Sequence, residues 1–355
     1  MTEERVLRCV LAREYLYRPQ VIKGLMEQYG SAQAMCEAEN FDSVFTPDNL
    51  KWAELEVEWC ISKGIKLLFY GEPAYPLLLG EAPDAPFMLY CKGEADLNNP
   101  HSISMVGTRL ASMYGKEACS MIVGHLAEYA PVVVSGLAYG IDIAAHKASL
   151  ENGLPTVAVL PNGLDMVYPA RHRDIAVQII RNGGALVTEF PRGTSPQKMH
   201  FVKRNRIIAA MTQALVVVET RVKGGSMITA EYACGYGREI FAVPGRISDT
   251  NSFGCNYLIS KNVAAVYSSA STIPSALGWN SACAIDPMLQ PQLFSFDIEN
   301  KEKILLTLEF DKTRGVEEIC MATGLEWGVV SSLLLELEIE GKIETTGNCD
   351  YCRKK

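Results

Sequence analysis

The chain has 355 residues, 48% of them apolar and 21% charged, a balance that supplies a sizeable core and excludes a mostly disordered polypeptide. No apolar run approaches the roughly 18–20 residues that cross a bilayer, and the opening MTEERVLRCV does not read as a secretory signal. The net charge of −8 excludes a surface that is basic all over, and 11 scattered cysteines read as reduced thiols, so a cytoplasmic protein without a membrane partner is expected.

Residues 1–64 are expected to form a small helical domain. Val6, Cys9, Val10 and Arg13 follow a 3.6-residue rhythm, Gly30-Ser31 reads as a helix stop followed by a new cap, and Leu55–Ile61 starts another turn. Ile65–Tyr70 then has strand character. It leads through Pro73, Pro76, Pro83 and Pro86 into a second strand-like run at Phe87–Cys91.

From Ser102 to Tyr267 short apolar runs alternate with helical stretches such as Tyr114–Tyr129 and Ile141–Asn152. The runs are Ile103–Val106, Val132–Val134, Thr156–Leu160, Ala185–Val187, Ala214–Val218, Glu239–Val243 and Val263–Tyr267. Continuous apolar strands between helices imply a parallel sheet covered on both faces. The expected fold class is therefore α/β, with a Rossmann-like, doubly wound, mostly parallel sheet over 65–267. Residues 268–298, rich in Ser, Pro, Gln and Ala, read as a linker. In 299–355, Lys303–Leu308, Val316–Met321 and Trp327–Ile339 precede a strand pair at Lys342–Glu344 and Tyr351–Arg353, the outline of a winged-helix-like domain.

Ligands of open parallel sheets sit beyond the carboxyl ends of the strands, so the residues there are the first candidates. They are Gly107-Thr108-Arg109, Ser135-Gly136 up to Gly140, Pro161-Asn162-Gly163, and Glu219-Thr220 up to Gly224-Gly225-Ser226. Small residues at strand-to-helix turns let backbone amides approach an anion, and four such turns point to phosphates. There is no G-x-G-x-x-G after the first strand of the series and no Walker A lysine, which argues against a dinucleotide dehydrogenase or a P-loop NTPase.

Charge singles out the same region. Phe190–Arg246 holds nine basic and three acidic residues, so this stretch is +6 while the rest of the chain is −14. Within it, PQKMHFVKRNR sets Lys198, Lys203, Arg204 and Arg206 around Phe201. Cations interleaved with an aromatic suit single-stranded nucleic acid, where charges track the backbone and a ring accepts a base. The alternative is a helix start with Phe201 as a core anchor and the arginines in solvent.

A series of motifs resembles the bacterial DNA-processing family DprA, also called Smf. They are GTR (Gly107–Arg109), SGLAYGIDIAAH (Ser135–His146), AVLPNGLDMVYP (Ala158–Pro169), TEFPRG (Thr188–Gly193), FVKRNRIIA (Phe201–Ala209), VVVETRVKGGSMITA (Val216–Ala230), GREIFAVPG (Gly237–Gly245) and SFGCNYLI (Ser252–Ile259). The resemblance implies a non-enzymatic, homodimeric single-stranded-DNA-binding protein, without a cofactor, that protects incoming DNA and helps load a RecA-type recombinase during natural transformation. By motif position it places the DNA contacts at Arg109, Lys198, Phe201, Arg204 and Arg206, with backbone and hydroxyl groups from Gly107, Ser135, Gly136, Gly224, Gly225 and Ser226. Thr188, Val202 and Asn262-Val263 are mild departures from the family pattern.

Three other constellations carry competing chemistry. Ser135, Asp142 and His146 make a poor nucleophile system, because no G-x-S-x-G elbow surrounds the serine; Asp142 is expected to brace its turn and His146 to close a local hydrogen-bond network. Gly224–Glu231 is similar to the GGxGTxxE signature of LOG-type nucleoside-monophosphate phosphoribohydrolases, which would make Glu231 catalytic, although Met227 stands where that signature has glycine. Cys349 and Cys352 form a lone C-x-x-C without the second ligand pair that a zinc site needs. The third helix of the C-terminal domain carries Glu326, Glu336, Glu338 and Glu340 and no cation, so it is expected to serve in packing or partner docking rather than in a duplex groove.

Overall fold

A computed structural model describes residues 3–279, 293–309, 313–346 and 350–354. The chain divides into two compact units, one running to residue 283 and the other from residue 284.

The first unit opens with α1 (Glu3–Glu14), α2 (Pro19–Tyr29), α3 (Ala32–Cys36) and α4 (Pro47–Ser62). Pro19 and Pro47 sit in first turns, where a missing N–H costs nothing. Gly30 closes α2 in the left-handed region at φ 77°. The Ser31 and Thr46 hydroxyl oxygens accept the amides of Ala34 and Asn49 at 3.1 and 3.3 Å, capping α3 and α4. Val6, Cys9 and Val10 are buried as their rhythm predicts. Their core does not stop at residue 64: it continues through Leu67 and Phe69 of β1 (Lys66–Phe69) and Met88 and Tyr90 of β2 (Met88–Gly93). The short α5 (Leu77–Glu81) lies between these strands in sequence.

Beyond β2 the strands are β3 (Ser102–Gly107), β4 (Val132–Ser135), β5 (Thr156–Val159), β6 (Ala185–Thr188), β7 (Ala214–Glu219), β8 (Glu239–Ala242) and β9 (Ala265–Val266). The helices that follow β3 to β8 in turn are α6 (Met113–Leu126), α7 (Ile141–Glu151), α8 (Arg173–Arg181), α9 (Lys198–Ala210), α10 (Gly225–Gly235) and α11 (Phe253–Ser260). One nine-stranded sheet results, in the order β1-β2-β6-β5-β4-β3-β7-β8-β9. The strands from β3 to β9 are parallel, whereas β2 runs antiparallel to both β1 and β6.

Both faces of this sheet are covered, which explains the continuous apolar runs. Val134, Val157, Leu215 and Val217 pack on the side of α9 and α10. Val133, Ile103, Val216 and Val218 pack on the side of α6 and α7. The winding reverses at β3, which pairs with β4 on one side (Ile103 beside Val133) and β7 on the other (Ile103 beside Ala214). A crevice between the loops after β3 and β7 is the geometric result.

The stretch expected as a linker begins with structure. Its first part forms α12 (Thr272–Leu277), with Ile273 and Trp279 buried and the Trp279 indole donating to Gln213 at 2.9 Å. Residues 280–292 lie outside the described residues.

The second unit contains α13 (Leu293–Thr307), β10 (Arg314–Gly315), α14 (Val316–Thr323), α15 (Trp327–Ile339), β11 (Ile343–Thr346) and β12 (Asp350–Arg353). Ile304, Ile319, Val330, Leu334, Leu337 and Ile343 form much of its own core. Three helices and a small sheet in the order β10-β12-β11 make it a winged helix. Lys301 is held by Glu336 and Glu340 at 2.6 and 2.7 Å. Cys349 of the C-x-x-C falls outside the described residues. Among those described, no group of His, Cys, Asp and Glu is placed to hold a metal, and no single helix is long and apolar enough to cross a membrane.

Candidate functional site

A cleft of about 640 Å³ opens at the β3/β7 switch point. Four chain segments line it: Gly107–Arg109 after β3, Ala138 and Asp142 around the start of α7, Lys198–Ile208 on α9, and Thr220–Thr229 across the β7–α10 turn. Its size is that of a small-ligand site.

The turn after β7 is locked from within. The Ser226 hydroxyl donates to Thr220 Oγ1 at 2.7 Å, and Thr220 Oγ1 donates to the Arg221 carbonyl at 3.1 Å. A side chain on Gly224 would run into the Thr220 hydroxyl, so only glycine fits there. The amides of Gly225 and Ser226 open α10, ahead of the helix's own hydrogen bonding, and give this corner a partial positive charge. Exposed Arg221 and Lys223 flank it. These two cations were absent from the expected contacts; their place in the same turn as Gly224-Gly225 was the available signal.

Arg109 and Phe201 meet across the cleft. The Arg109 guanidinium lies 4.9 Å from the ring centroid, and Tyr168 meets the same ring edge-on at 5.7 Å. Phe201 is half-buried, so it is a ring already partnered by a cation, not a bare plate. Lys198, three residues earlier on α9, is exposed at the rim.

The floor is polar and buried. Arg204 is 3% exposed and donates to the carbonyls of Gly136 and Val159, both at 2.5 Å. Burial lowers its pKa to about 10, against the pull of Asp142 in the other direction. Asp142 accepts the Ala138 amide at 3.4 Å, bracing its turn, and burial raises its pKa despite Arg204. His146 makes a 2.7 Å bond to Thr156 and is wholly buried. Ser135 lies beside Asp142, but it is fully buried and its hydroxyl donates to the Met105 carbonyl at 2.7 Å.

The expected contact residues therefore separate. Gly107, Arg109, Lys198, Phe201, Gly224, Gly225 and Ser226 come together around one cleft. Arg204 reaches it only as floor. Gly136 lies beneath the Arg204 guanidinium, which occupies the space a side chain there would need. Ser135 is sealed in the core. Arg206 lies elsewhere: it is 4% exposed, pairs with Glu189 at 2.5 Å, and also donates to the Asp84 carbonyl. Three residues beyond Lys203 on α9, it lines a second depression with Tyr17 and Tyr232 and is not among the residues that line the cleft. Glu231 is exposed on α10 and does not line the cleft, and Met227 is buried in the core beneath that helix.

Comparison with known proteins gives consistent matches. The family model for DNA recombination-mediator protein A matches residues 66–278, and that for the DprA winged helix domain matches 299–347. The DNA processing protein DprA of Streptococcus pneumoniae is 41% identical over 197 residues, 56% of this chain and 69% of that protein. Protein Smf of Escherichia coli is 34% identical over 272 residues, 76% of this chain and 72% of that protein. Among solved structures, DprA from S. pneumoniae superposes with a TM-score of 0.60 at 32% identity, covering 72% of this chain and 92% of that one. A Helicobacter pylori DNA processing protein A, whose structure is described as giving insight into a unique single-stranded DNA binding mode, superposes with a TM-score of 0.54 at 28% identity. That match covers 60% of this chain and 95% of the other.

Proposed function

This chain belongs to the DNA recombination-mediator protein A family, the DprA/Smf proteins, and we propose that the cleft at its β3/β7 switch point is a single-stranded DNA site. The observation that carries the proposal is the Arg109 guanidinium laid on Phe201, with Lys198 and the first amides of α10 around the same opening. Phosphates are neutralised by Arg109, Lys198, Arg221 and Lys223 and accept hydrogen bonds from Gly225 and Ser226; Gly107 and Gly224 keep the approach open. A base stacks at the Arg109–Phe201 pair. Ser135, Gly136, Arg204 and Arg206 act behind this surface, as the scaffold that fixes it.

In this reading the protein carries no catalytic turnover and needs no cofactor. It works in the cytoplasm as a homodimer, holds incoming single strands and hands them to a RecA-type recombinase. Two linked clefts on one strand raise its affinity through effective concentration without new contacts. The hydrolase alternative is not favoured, since its acid, Glu231, stands outside the cleft.

Anisotropy of a labelled oligothymidine at two salt concentrations, with duplex DNA as competitor, tests the proposal. Tight, salt-sensitive binding that duplex competes for poorly is expected. Absence of binding at low salt overturns it. Release of base from nucleoside monophosphates, abolished by Glu231→Gln, would instead favour the hydrolase.

A further inference from the structure

The ring platform does not end at the cleft. Tyr168, in the loop after β5, meets Phe201 edge-on and is still 43% exposed; Tyr139, in the loop after β4, is also 43% exposed. One buried residue ties the two loops together. His172 bonds the Leu137 carbonyl through Nδ1 at 2.7 Å, packs 4.9 Å from the Tyr139 ring, and donates its amide to the Pro169 carbonyl next to Tyr168 at 2.9 Å. Neither tyrosine belongs to a hydrophobic core cluster. Both remain wet at the carboxyl ends of adjacent strands.

Cations accompany them. Arg171 and Arg173 are exposed in the segment that follows Tyr168, and neither has an ion-pair partner among the described residues. Two exposed rings and two arginines without ion-pair partners among the described residues offer the same two kinds of group as the cleft, outside its lining. Cations and exposed rings on neighbouring loops suit a flexible polyanion that carries flat bases.

We propose that Tyr168, Tyr139, Arg171 and Arg173 form a second subsite, a ledge along which the single strand continues after leaving the cleft at Phe201. The tyrosines take bases and the arginines take phosphates. This rests on the single-strand reading of the cleft and extends it by naming the path of the strand.

The test uses the full-length protein and two labelled probes of about 20 nucleotides, longer than the roughly 4–16 that single-strand folds occupy. One is oligothymidine and the other an abasic sugar-phosphate strand of equal length. Tyr139→Leu and Tyr168→Leu should weaken oligothymidine binding roughly 5- to 150-fold each, the range of one lost stack, and leave the abasic affinity unchanged. Tyr168→Phe keeps the ring and should behave as wild type. Arg171→Gln with Arg173→Gln should weaken both probes and reduce the salt slope by about 0.7 per arginine. Tyrosine variants that weaken neither probe, or both equally, overturn the ledge. A wild-type protein that binds neither probe overturns the cleft reading itself, a separate and recognisable result.

Discussion

Arg204 and Arg206 stand two residues apart on α9, yet each is consumed by its own buried network. Arg206 is the main partner of Glu189, a carboxylate that burial pushes towards the neutral form, with Lys203 a weaker one at 3.5 Å. Arg206→Ala should therefore cost about 3–5 kcal/mol of stability, read as a lower denaturant midpoint, while the folded fraction keeps its affinity for single strands. Lys198→Ala should act the other way, with stability unchanged and a salt slope shallower by about 0.7. Phe201→Ala should weaken binding by about 1–3 kcal/mol at an unchanged slope, because stacking releases no counterions. His146 adds a pH dependence. Thr156 Oγ1 donates to the Val133 carbonyl, so it accepts from His146 Nδ1–H and leaves a buried, unpartnered Nε2. Burial pushes the imidazole pKa from 6.5 down to about 3. The unfolded chain takes up a proton below pH 6.5 and the folded one does not, so this contribution is complete above 6.5 and lost as pH falls towards 3. Wild type should lose about 2 kcal/mol between pH 7.5 and 5 that His146→Gln does not lose, as measured by denaturant midpoints.

At the scale of elements, α9 serves two masters. One side presents Lys198 and Phe201 to the cleft, and the other is gripped by the helical N-terminal region: Lys203 donates to the Leu16 carbonyl and lies 4.0 Å from the Tyr17 ring, and Tyr17 bonds His200 at 3.3 Å. Tyr17→Ala should cost about 0.5–1 kcal/mol of stability, the value of one cation–π contact, read as a lower denaturant midpoint, with the single-strand salt slope unchanged because no phosphate contact is removed. This grip also explains what the sequence did and did not disclose. The strands after Ser102 were legible because both faces of the sheet are buried, and the glycine-rich turns at their ends marked the cleft. The sorting of the cations was not legible. Lys198, Lys203, Arg204 and Arg206 occupy one short run, and only the packing of α9 between the sheet, the N-terminal helices and the cleft decides which of them meet solvent. The stretch after Tyr267 read as linker from its Ser and Ala content, while the burial of Ile273 and Trp279 depends on a groove beside β3 and α6 that composition does not reveal.

Across the whole molecule the charge is divided. The basic stretch lies in the first unit, and in the winged helix of the second Glu336 of α15 and Glu340 just past its end already hold Lys301. A chain ending at residue 283 should keep the oligothymidine affinity and salt slope of the full protein within about twofold, since phosphate neutralisation sets both; a large loss would assign the second unit a direct part in DNA capture. The cleft itself is discontinuous in sequence, with walls at residues 107–109, 138–142, 198–208 and 220–229. Its walls meet only when β7 has paired beside β3, across a chain separation of more than a hundred residues, and such distant pairing is intrinsically slow. A ribosome must therefore deliver the start of α10 before any cleft exists. The nascent chain, surrounded by messenger and ribosomal RNA, holds no assembled cleft until β7 has paired beside β3.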